Sequence, residues 1–369
     1  MVYRPEPAHA HGRRSRVAVV LCNLGTPEAP RPAEVRRYLA QFLSDPRVVE
    51  LPRALWLTLL HGVILRTRPA RSAAKYASIW QKEGSPLLTW TRRQAQLLQG
   101  WMGHQGHDVI VTHAMRYGQP ALDGVLDHLK TEGVERVLIL PAYPQYAAST
   151  TASLLDALGS WVQQTRWVPE LRTVTAYHSH PAYIAALARQ VQAHWEREGQ
   201  GELLLLSFHG VPARSLALGD PYHCQCQVTA RLLREALGLP AERVIVSFQS
   251  RFGRARWLEP YTQATVEGLP AKGVKSIDVM CPGFTADCLE TLEEIDMEVR
   301  QAFLQAGGQR YAYIPCLNDA PHWIEALGQI GLQHLQGWPT ALPSPQEAQL
   351  AEQVRAESAA RARAMGAPQ

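Results

Sequence analysis

Short runs of hydrophobic, often β-branched residues recur along the chain, and longer stretches with helical spacing separate most of them. The runs lie at 17–22, 108–114, 134–140, 171–177, 202–208, 243–249, 274–280 and 310–315. They are hydrophobic at successive positions, as expected of strands whose two faces are both covered by helices. The pattern therefore predicts an α/β protein built on parallel sheet.

These runs divide into two sets of four. Each set begins with a strand that leads into a tight polar turn, NLGTP at 23–27 and SFHGVP at 207–212. Such duplication predicts two doubly wound domains and a C-terminal extension that contains a surface helix, with bounds at 17–180, 181–330 and 331–369. Ligands of open α/β sheets bind beyond the carboxyl ends of the strands, so we expect the functional site there.

The longest hydrophobic stretch runs from Leu51 to Leu65 and is interrupted by Arg53 and His61. It is too short to span a bilayer. A helix buried in the core is the favoured interpretation, because short hydrophobic core helices are common. A helix that lies on a membrane surface or forms the lip of a site is the alternative.

Composition narrows the class of protein. The 369-residue chain is 46% hydrophobic and 19% charged, which is typical of a folded globular protein. Its net charge of +4 is not gathered into a basic stripe, so nucleic acid is not an expected partner. Six scattered cysteines indicate reduced thiols in the cytoplasm, and the polar residues 1–16 lack the apolar core of a signal peptide.

Two short patterns approach metal or cofactor motifs without meeting their requirements. Cys224 and Cys226 lie beside His223, but no second pair of ligands follows at the spacing of a zinc site. The turn NLGTPEAP contains one glycine, unlike a phosphate-binding loop or a dinucleotide fingerprint. We therefore expect neither a structural metal nor a nucleotide cofactor.

The first candidate functional residue is His209, which directly follows the hydrophobic run LLLLSF and precedes Gly210. This position puts an imidazole at the carboxyl end of a central strand. A histidine there can bind a metal or accept a proton near neutral pH. Taken alone, the pattern fits equally well a histidine that caps the turn.

An acidic stretch, TADCLETLEEIDMEVRQAF at 285–303, is predicted to be one helix. Asp287, Glu290 and Glu294 are spaced so that all three carboxylates share a helical face. A solvated surface is the common explanation of such a face. The helix starts, however, beside the turn after a strand, at the same edge as His209, so His209 and Glu290 are expected to oppose each other across a cleft and to hold a divalent cation.

Other side chains at the carboxyl ends of strands suit a flat, acidic ligand. The hydroxyls of Ser149 to Thr151 could line such a ligand, but helix capping explains them without any ligand. Tyrosines and tryptophan suit a ring face and arginine suits a carboxylate. The candidate ligand-binding residues are Arg116, Tyr117, Tyr143, Gln145, Tyr146 and Trp257.

At these residues the sequence strongly resembles the ferrochelatase family. The resemblance covers about 17–330 in family order. The matching stretches are NLGTP (23–27), KYASIWQKEGSPL (75–87), AMRYGQP (114–120), PAYPQYAASTTAS (141–153), LSFHGVP (206–212), GDPYHCQC (219–226), SFQSRFGRARWLEPYT (247–262) and VMCPGFTADCLETLEEID (279–296).

The resemblance implies two Rossmann-like domains with a porphyrin cleft between them. It places the family's metal-site histidine at His209 and its essential carboxylate at Glu290, with Asp287 and Glu294 in an acidic conduit. Ferrous iron and porphyrin are then substrates, and no tightly bound cofactor is expected. No cysteine follows Cys316, so an iron–sulfur cluster of the animal type is not expected either.

The implied reaction gives each residue type a task. His209 takes part in removing the pyrrole protons and Glu290 supplies the opposing carboxylate, although the sequence leaves open which is base and which is ligand. Leu24, Tyr146 and Trp257 are candidates for the walls that hold the ring bent. Leu24 stands where relatives that use coproporphyrin tend to have tyrosine, so protoporphyrin is the expected substrate.

Two other functions remain as alternatives. A coproporphyrin ferrochelatase or another tetrapyrrole chelatase shares the fold and the pairing of a histidine with a carboxylate. A non-catalytic porphyrin or haem carrier needs the cleft but not the acidic row. We expect a cytoplasmic, monomeric protein and leave peripheral contact with the inner face of the membrane open.

Overall fold

The computed structural model describes residues 3–251, 253 and 255–367. It contains two four-stranded sheets, each covered by helices, and all pairings between their strands are parallel. The predicted fold class is therefore confirmed. The domain bounds that we derived from the sequence stay a prediction.

Each predicted strand is present in the described chain, with shifted ends. The strands are β1 (Arg16–Gly25), β2 (Val109–Tyr117), β3 (Val134–Pro141), β4 (Glu170–Thr173), β5 (Leu203–His209), β6 (Val244–Gln249), β7 (Ser276–Met280) and β8 (Arg310–Ile314). The fourth is shorter than its hydrophobic run, because β4 pairs with only one neighbour, β3, and that pairing ends at Thr173.

The helices fill the stretches between the strands. The α-helices are α1 (Pro32–Leu43), α2 (Arg53–Leu59), α3 (Leu65–Ile79), α4 (Pro86–His104), α5 (Leu122–Thr131), α6 (Ser153–Gln164), α7 (Pro181–Glu198), α8 (Arg214–Ala217), α9 (Tyr222–Ala236), α10 (Thr262–Gly268), α11 (Arg300–Gln305), α12 (Pro321–Leu335) and α13 (Pro345–Ala364). Three π-helical segments are Leu60–Ile64, Ala148–Ala152 and Glu290–Val299, and two short 3₁₀ turns are Ala241–Arg243 and Pro270–Lys272.

The two sheets have the same strand order. It is β2-β1-β3-β4 in the first and β6-β5-β7-β8 in the second, so β1 and β5 occupy equivalent central positions. Both central strands are buried along most of their length, as the hydrophobic runs require. The carboxyl ends of β1 and β5 carry Leu24 and His209, which puts both residues at the ligand-binding edges of their sheets.

A shared hydrophobic core joins the two halves. One cluster of buried residues includes Leu21 from β1 and Leu206 from β5, together with side chains of α4, α7 and α12. The amide of Gln94 on α4 also donates to the carbonyls of Thr285 and Asn318, at 2.8 Å each. Helix α4 therefore fixes the first half against the segment that precedes the π-helix Glu290–Val299.

The stretch from Leu51 to Leu65 is not the buried helix favoured above. It forms α2 and the π-helical turn that follows, and only one face of it is buried, with Trp56, Leu60 and Leu65 inside. The opposite face exposes hydrophobic side chains one helical turn apart, Leu51, Leu55, Leu59 and Val63. The prediction was wrong because hydrophobic residues occupy both the buried and the exposed face, so the sequence pattern does not distinguish them.

In the described chain, no helix has the length and the apolar character needed to cross a membrane. The predicted surface helix of the C-terminal extension is α13, and it has no buried residue.

Candidate active site

The imidazole of His209 is held in one tautomer at the end of β5. Its Nδ1 lies 2.6 Å from the carbonyl oxygen of Gly210, which can only accept a hydrogen bond, so Nδ1 carries the proton. In the neutral ring, Nε2 is then the free nitrogen that can accept a proton or bind a metal. The hydroxyl of Tyr222 donates to the carbonyl of His209 at 2.9 Å and fixes the strand end.

Trp257 packs directly beside this strand end. A Cβ atom at Gly210 would lie 3.1 Å from Cε3 of Trp257 and 2.7 Å from the carbonyl oxygen of Gln249. Only glycine therefore lets the indole and the backbone approach so closely. The indole nitrogen of Trp257 is buried without a hydrogen-bond partner. The structure thus brings two sequence-predicted residues, His209 and Trp257, together.

The prediction of one regular helix at 285–303 is wrong. Asp287 lies in an irregular turn, Glu290–Val299 is a π-helix, and α11 follows it. Spacing at 3.6 residues per turn therefore does not place the three carboxylates on one face. π-Helical segments often occur at functional sites, and this one carries Glu290 and Glu294, both half-buried.

Gln249 connects the strand end of His209 with the π-helix, and our sequence reasoning missed it. The two residues are register partners across β5 and β6. Nε2 of Gln249 donates to the carbonyl of Glu290 at 2.9 Å, while its Oε1 accepts from the hydroxyl of Ser207 at 2.7 Å. Its place at the end of β6, opposite His209, was a signal that could have identified it.

Burial raises the pKa of Glu294 above its ordinary value, although hydrogen bonds from Ser250 and the charge of His209 act in the opposite direction. The charge of Glu290 raises it further. His209 and Glu290 therefore both lie within electrostatic range of Glu294. A carboxyl group with a raised pKa can take up and release protons closer to neutral pH than an exposed one.

Two tyrosines of the first half lie within electrostatic range of Glu290. Burial raises the pKa of Tyr38 and of Tyr76, and the charge of Glu290 adds to both effects. Burial likewise raises the pKa of Cys288, and the charge of Glu290 adds to the effect. Sequence reasoning missed these two tyrosines, because nothing in the hydrophobic pattern of α1 and α3 indicates that these helices pack over the acidic segment.

Asp287 makes its contacts elsewhere. Its carboxylate accepts hydrogen bonds from the hydroxyl of Tyr313 at 2.5 Å and the side-chain amide of Asn318 at 2.6 Å. Both donors belong to β8 and the loop after it. The structure therefore ties Asp287 to the scaffold, whereas Glu294 lies within electrostatic range of both His209 and Glu290.

Arg116 and Tyr117 are also engaged by the protein itself. The guanidinium of Arg116 pairs with Asp45 at 2.5 Å, and the hydroxyl of Tyr117 donates to the same carboxylate at 2.8 Å. Tyr117 is 0% exposed, so its ring does not form a cleft surface here. Arg116 is partly exposed, and its pairing with Asp45 offsets the positive charge that we expected to bind a carboxylate.

The loop after β3 links the two halves. The buried amide of Gln145 donates to Thr229 at 2.9 Å, and the backbone N–H of Tyr146 donates to Gln225 at 2.7 Å. The hydroxyl of Tyr143 is buried without a hydrogen-bond partner. Tyr146 and Leu24 remain half-buried.

No three His, Cys, Asp or Glu side chains are grouped to hold a metal ion among residues 3–251, 253 and 255–367. What the site brings together is one imidazole with a free nitrogen and two half-buried carboxylates, beside an indole. This combination can accept protons and can contact a hard cation through nitrogen and oxygen atoms.

Comparison with known proteins gives a family and a fold. A family model described as Ferrochelatase matches residues 16–335. A ferrochelatase of Methylibium petroleiphilum is 60% identical over 356 residues, which cover 96% of this chain and 98% of the relative. A ferrochelatase of a Polaromonas species is 56% identical and covers 100% of both chains. The solved structure of SirB from Bacillus subtilis with Fe³⁺ has a TM-score of 0.51 at 15% identity, covers 70% of this chain and 96% of that one, and shows likeness of fold alone.

Proposed function

Because the chain belongs to the ferrochelatase family, we propose that it inserts ferrous iron into protoporphyrin IX at the site formed by His209, Glu290 and Glu294. The chain is an enzyme of haem biosynthesis, a ferrochelatase. The choice of protoporphyrin and the task of each residue are the proposed part.

The observation that carries the proposal is the state of His209. Its Nδ1–H is committed to the Gly210 carbonyl, so Nε2 is the nitrogen available to a substrate. Metalation releases two pyrrole protons for each iron bound, and a neutral imidazole is a suitable first acceptor. Glu294 lies within electrostatic range of His209 and is the carboxylate beside this proton acceptor.

Glu290 supplies the carboxylate opposite His209 and exchanges water on the incoming iron for an oxygen ligand. Oxygen and nitrogen ligands hold Fe(II) without the strong binding of a thiolate, so the ion can pass on to the porphyrin nitrogens. Glu294 forms the proposed acidic conduit. Asp287 has a different role in this proposal, because donors of the scaffold occupy its carboxylate.

Trp257, Tyr146 and Leu24 are the proposed walls of the porphyrin cleft. Trp257 packs against the Gly210 backbone and so fixes a flat surface next to the imidazole. A rigid wall can hold the macrocycle in a distorted form that exposes its nitrogen lone pairs. Leu24 is half-buried at the end of β1 and supplies the hydrophobic contact on which the preference for protoporphyrin rests.

Tyr143 and Arg116 remain candidates for contact with the porphyrin edge. The unpartnered hydroxyl of Tyr143 needs a hydrogen-bond partner that a carboxylate could provide. Arg116 would first have to share its guanidinium with Asp45. Tyr117 donates to the same Asp45 carboxylate that pairs with Arg116, and Gln145 donates to Thr229 of the second half.

We also propose that the enzyme is a cytoplasmic monomer that rests on the membrane through the exposed face of α2 and of the residues directly before and after it. This face presents Leu51, Leu55, Leu59 and Val63, all at least 43% exposed. Exposed arginines flank it, Arg53, Arg66 and Arg71. Hydrophobic side chains with arginines beside them favour the interface of a membrane that contains anionic lipid.

An anaerobic assay tests the proposed activity. The purified protein is mixed with Fe(II) and protoporphyrin IX, and the loss of free-porphyrin fluorescence is followed together with the haem spectrum. His209→Ala and Glu290→Gln are expected to lower the rate about 10²- to 10⁴-fold while the protein stays folded. Near-native turnover by both variants would refute the assignment. Porphyrin binding without metalation would direct the assay to coproporphyrin, and failure there would favour a carrier.

A further inference from the structure

Asp287 and Asn318 form a buried pair with two hydrogen bonds. The side-chain amide of Asn318 donates to Oδ2 of Asp287 at 2.6 Å, and the backbone N–H of Asp287 donates to Oδ1 of Asn318 at 2.8 Å. Asp287 is 5% exposed and Asn318 is 9% exposed. The two side chains are thus held face to face, away from solvent.

The other oxygen of Asp287 is occupied as well. Oδ1 accepts from the hydroxyls of Tyr313 at 2.5 Å and Thr291 at 3.0 Å, and from the N–H of Cys316 at 3.4 Å. Thr291 belongs to the first turn of the π-helix that carries Glu290. Asp287 therefore connects the start of that helix with β8 and the loop after it.

Asn318 is itself fixed by its surroundings. Its backbone is left-handed, with φ at 43°, a conformation that asparagine adopts more readily than most residues. Its N–H donates to the carbonyl of Thr285 at 3.0 Å, and its own carbonyl accepts from Gln94 at 2.8 Å. The loop that contains Asn318 is thus hydrogen-bonded both to the acidic segment at 285–303 and to helix α4 of the first half.

We propose that Asp287, through its pair with Asn318, is a positioning residue that fixes the start of the π-helix so that Glu290 faces His209. The proposal rests on the proposed function of those two residues. It assigns Asp287 no part in carrying protons or iron. Its task is to accept hydrogen bonds that orient the helix. A displacement of Glu290 by about 1 Å would cost roughly 10²-fold in rate.

An exchange of the two side chains separates this role from a conduit role. In Asp287→Asn two side-chain amides face each other, and in Asn318→Asp two carboxylates do, so the hydrogen bond between the side chains is disturbed. Each single variant is therefore expected to lower kcat about 10²-fold. In the double variant Asp287→Asn/Asn318→Asp, the new amide donates to the new carboxylate. All donors to position 287 keep an acceptor. We expect most of the lost kcat to return.

A conduit predicts the opposite, because the carboxylate at position 287 is missing in the double variant. If that variant is folded and stays as slow as Asp287→Asn, the proposal is overturned. The KM for iron and the pH dependence of kcat/KM are measured in parallel. Positioning leaves both as in the wild type, whereas a change in either in the double variant refutes it.

Tyr313→Phe gives a second test should the exchanged pair fail to fold. It removes one donor to Asp287 and keeps the carboxylate, so a positioning role predicts a lower kcat with an unchanged KM for iron. Unchanged kcat would refute the proposal. Wild-type protein and Glu290→Gln are run in the same assay, so that a failure of the proposed function itself, with no turnover or no effect of Glu290→Gln, is recognised separately.

Discussion

Ser250 donates two hydrogen bonds to the carboxylate of Glu294, one from its backbone N–H at 2.7 Å and one from its hydroxyl. To do so its backbone is left-handed, with φ at 63°, which is uncommon for serine. Burial nevertheless keeps the pKa of Glu294 raised. The loop after β6 therefore holds an acidic side chain of the site that is costly to ionise.

Glu294→Gln is expected to stabilise the protein at neutral pH while lowering its activity. A group whose pKa is raised in the folded state favours folding below its ordinary value of 4.5 and loses that contribution as the pH rises through the folded value. The glutamine variant has no such loss, so its advantage in Tm should grow as the pH rises from 4.5. Thermal unfolding measured across this range checks the sign. The exposed Glu352→Gln serves as control, and a variant that melts below the wild type at pH 7 would contradict the assignment.

Asp45→Asn is expected to destabilise the protein above about pH 4. Burial alone would raise the pKa of Asp45, but hydrogen bonds from Ser153, the N–H of Arg47 and Tyr117 outweigh it and lower the pKa. The stabilisation is therefore present above the ordinary value of 3.8 and is lost as the pH falls through the folded value. Loss of the charge also leaves Arg116 unpaired, a cost of about 3 kcal/mol.

Chemical denaturation at several pH values measures this effect. The matched control is Asp156→Asn, which breaks an exposed ion pair with Arg47 and should cost under about 1 kcal/mol. Equal effects of the two substitutions, or a difference that persists at acid pH, would mean that the buried network around Asp45 does not contribute as described.

Hydrophobic runs were enough to predict both sheets, since strands buried on two faces leave a continuous signal. They also placed His209 correctly at the end of β5. The acidic segment was harder, because hydrophobic and charged spacing cannot distinguish a π-helix from an α-helix when tertiary contacts decide the winding. The contacts of Asp287 could not be predicted either, because its partners Tyr313 and Asn318 are distant in sequence.

The first-half contributions to the site could not be predicted either. Tyr38 and Tyr76 appear in the sequence as ordinary core residues of α1 and α3. Their place near Glu290 depends on how those helices pack across the two halves, which local patterns do not encode. The prediction of a buried helix at Leu51–Leu65 was wrong for a similar reason. Its exposed face can be recognised only once the residues that bury Trp56 and Leu60 are known.

Lys75→Met is expected to loosen the contact between α3 and the π-helix. The ammonium of Lys75 lies 2.8 Å from Glu293 and 2.9 Å from Glu298. Glu293 is largely buried, so loss of its partner should cost about 1–3 kcal/mol of stability. Denaturant unfolding measures the change, and Lys75→Arg should recover most of it. Arg214→Met, which breaks the exposed pair with Glu50, should cost under about 1 kcal/mol. If Lys75→Met lowers the free energy of unfolding less than Arg214→Met does, the ion pairs of Lys75 do not stabilise this contact.

Leu55→Ser/Leu59→Ser is expected to weaken binding to lipid vesicles without changing turnover of a soluble porphyrin. Each leucine contributes about 1.5–3 kcal/mol when its side chain is fully buried. Partial burial of two leucines in a membrane interface therefore predicts that their loss lowers partitioning by roughly tenfold or more. Co-sedimentation with vesicles of phosphatidylcholine and phosphatidylglycerol measures it. Vesicles of phosphatidylcholine alone should bind less, because the flanking arginines then have no anionic lipid to contact.

The matched control for this membrane surface is Leu350→Ser/Val354→Ser on α13, two side chains that are 61% and 57% exposed but lie on a different helix. That variant should partition like the wild type. If both pairs reduce partitioning equally, exposed hydrophobic area in general is responsible and α2 has no special role. If neither does, the exposed face of α2 does not bind these vesicles.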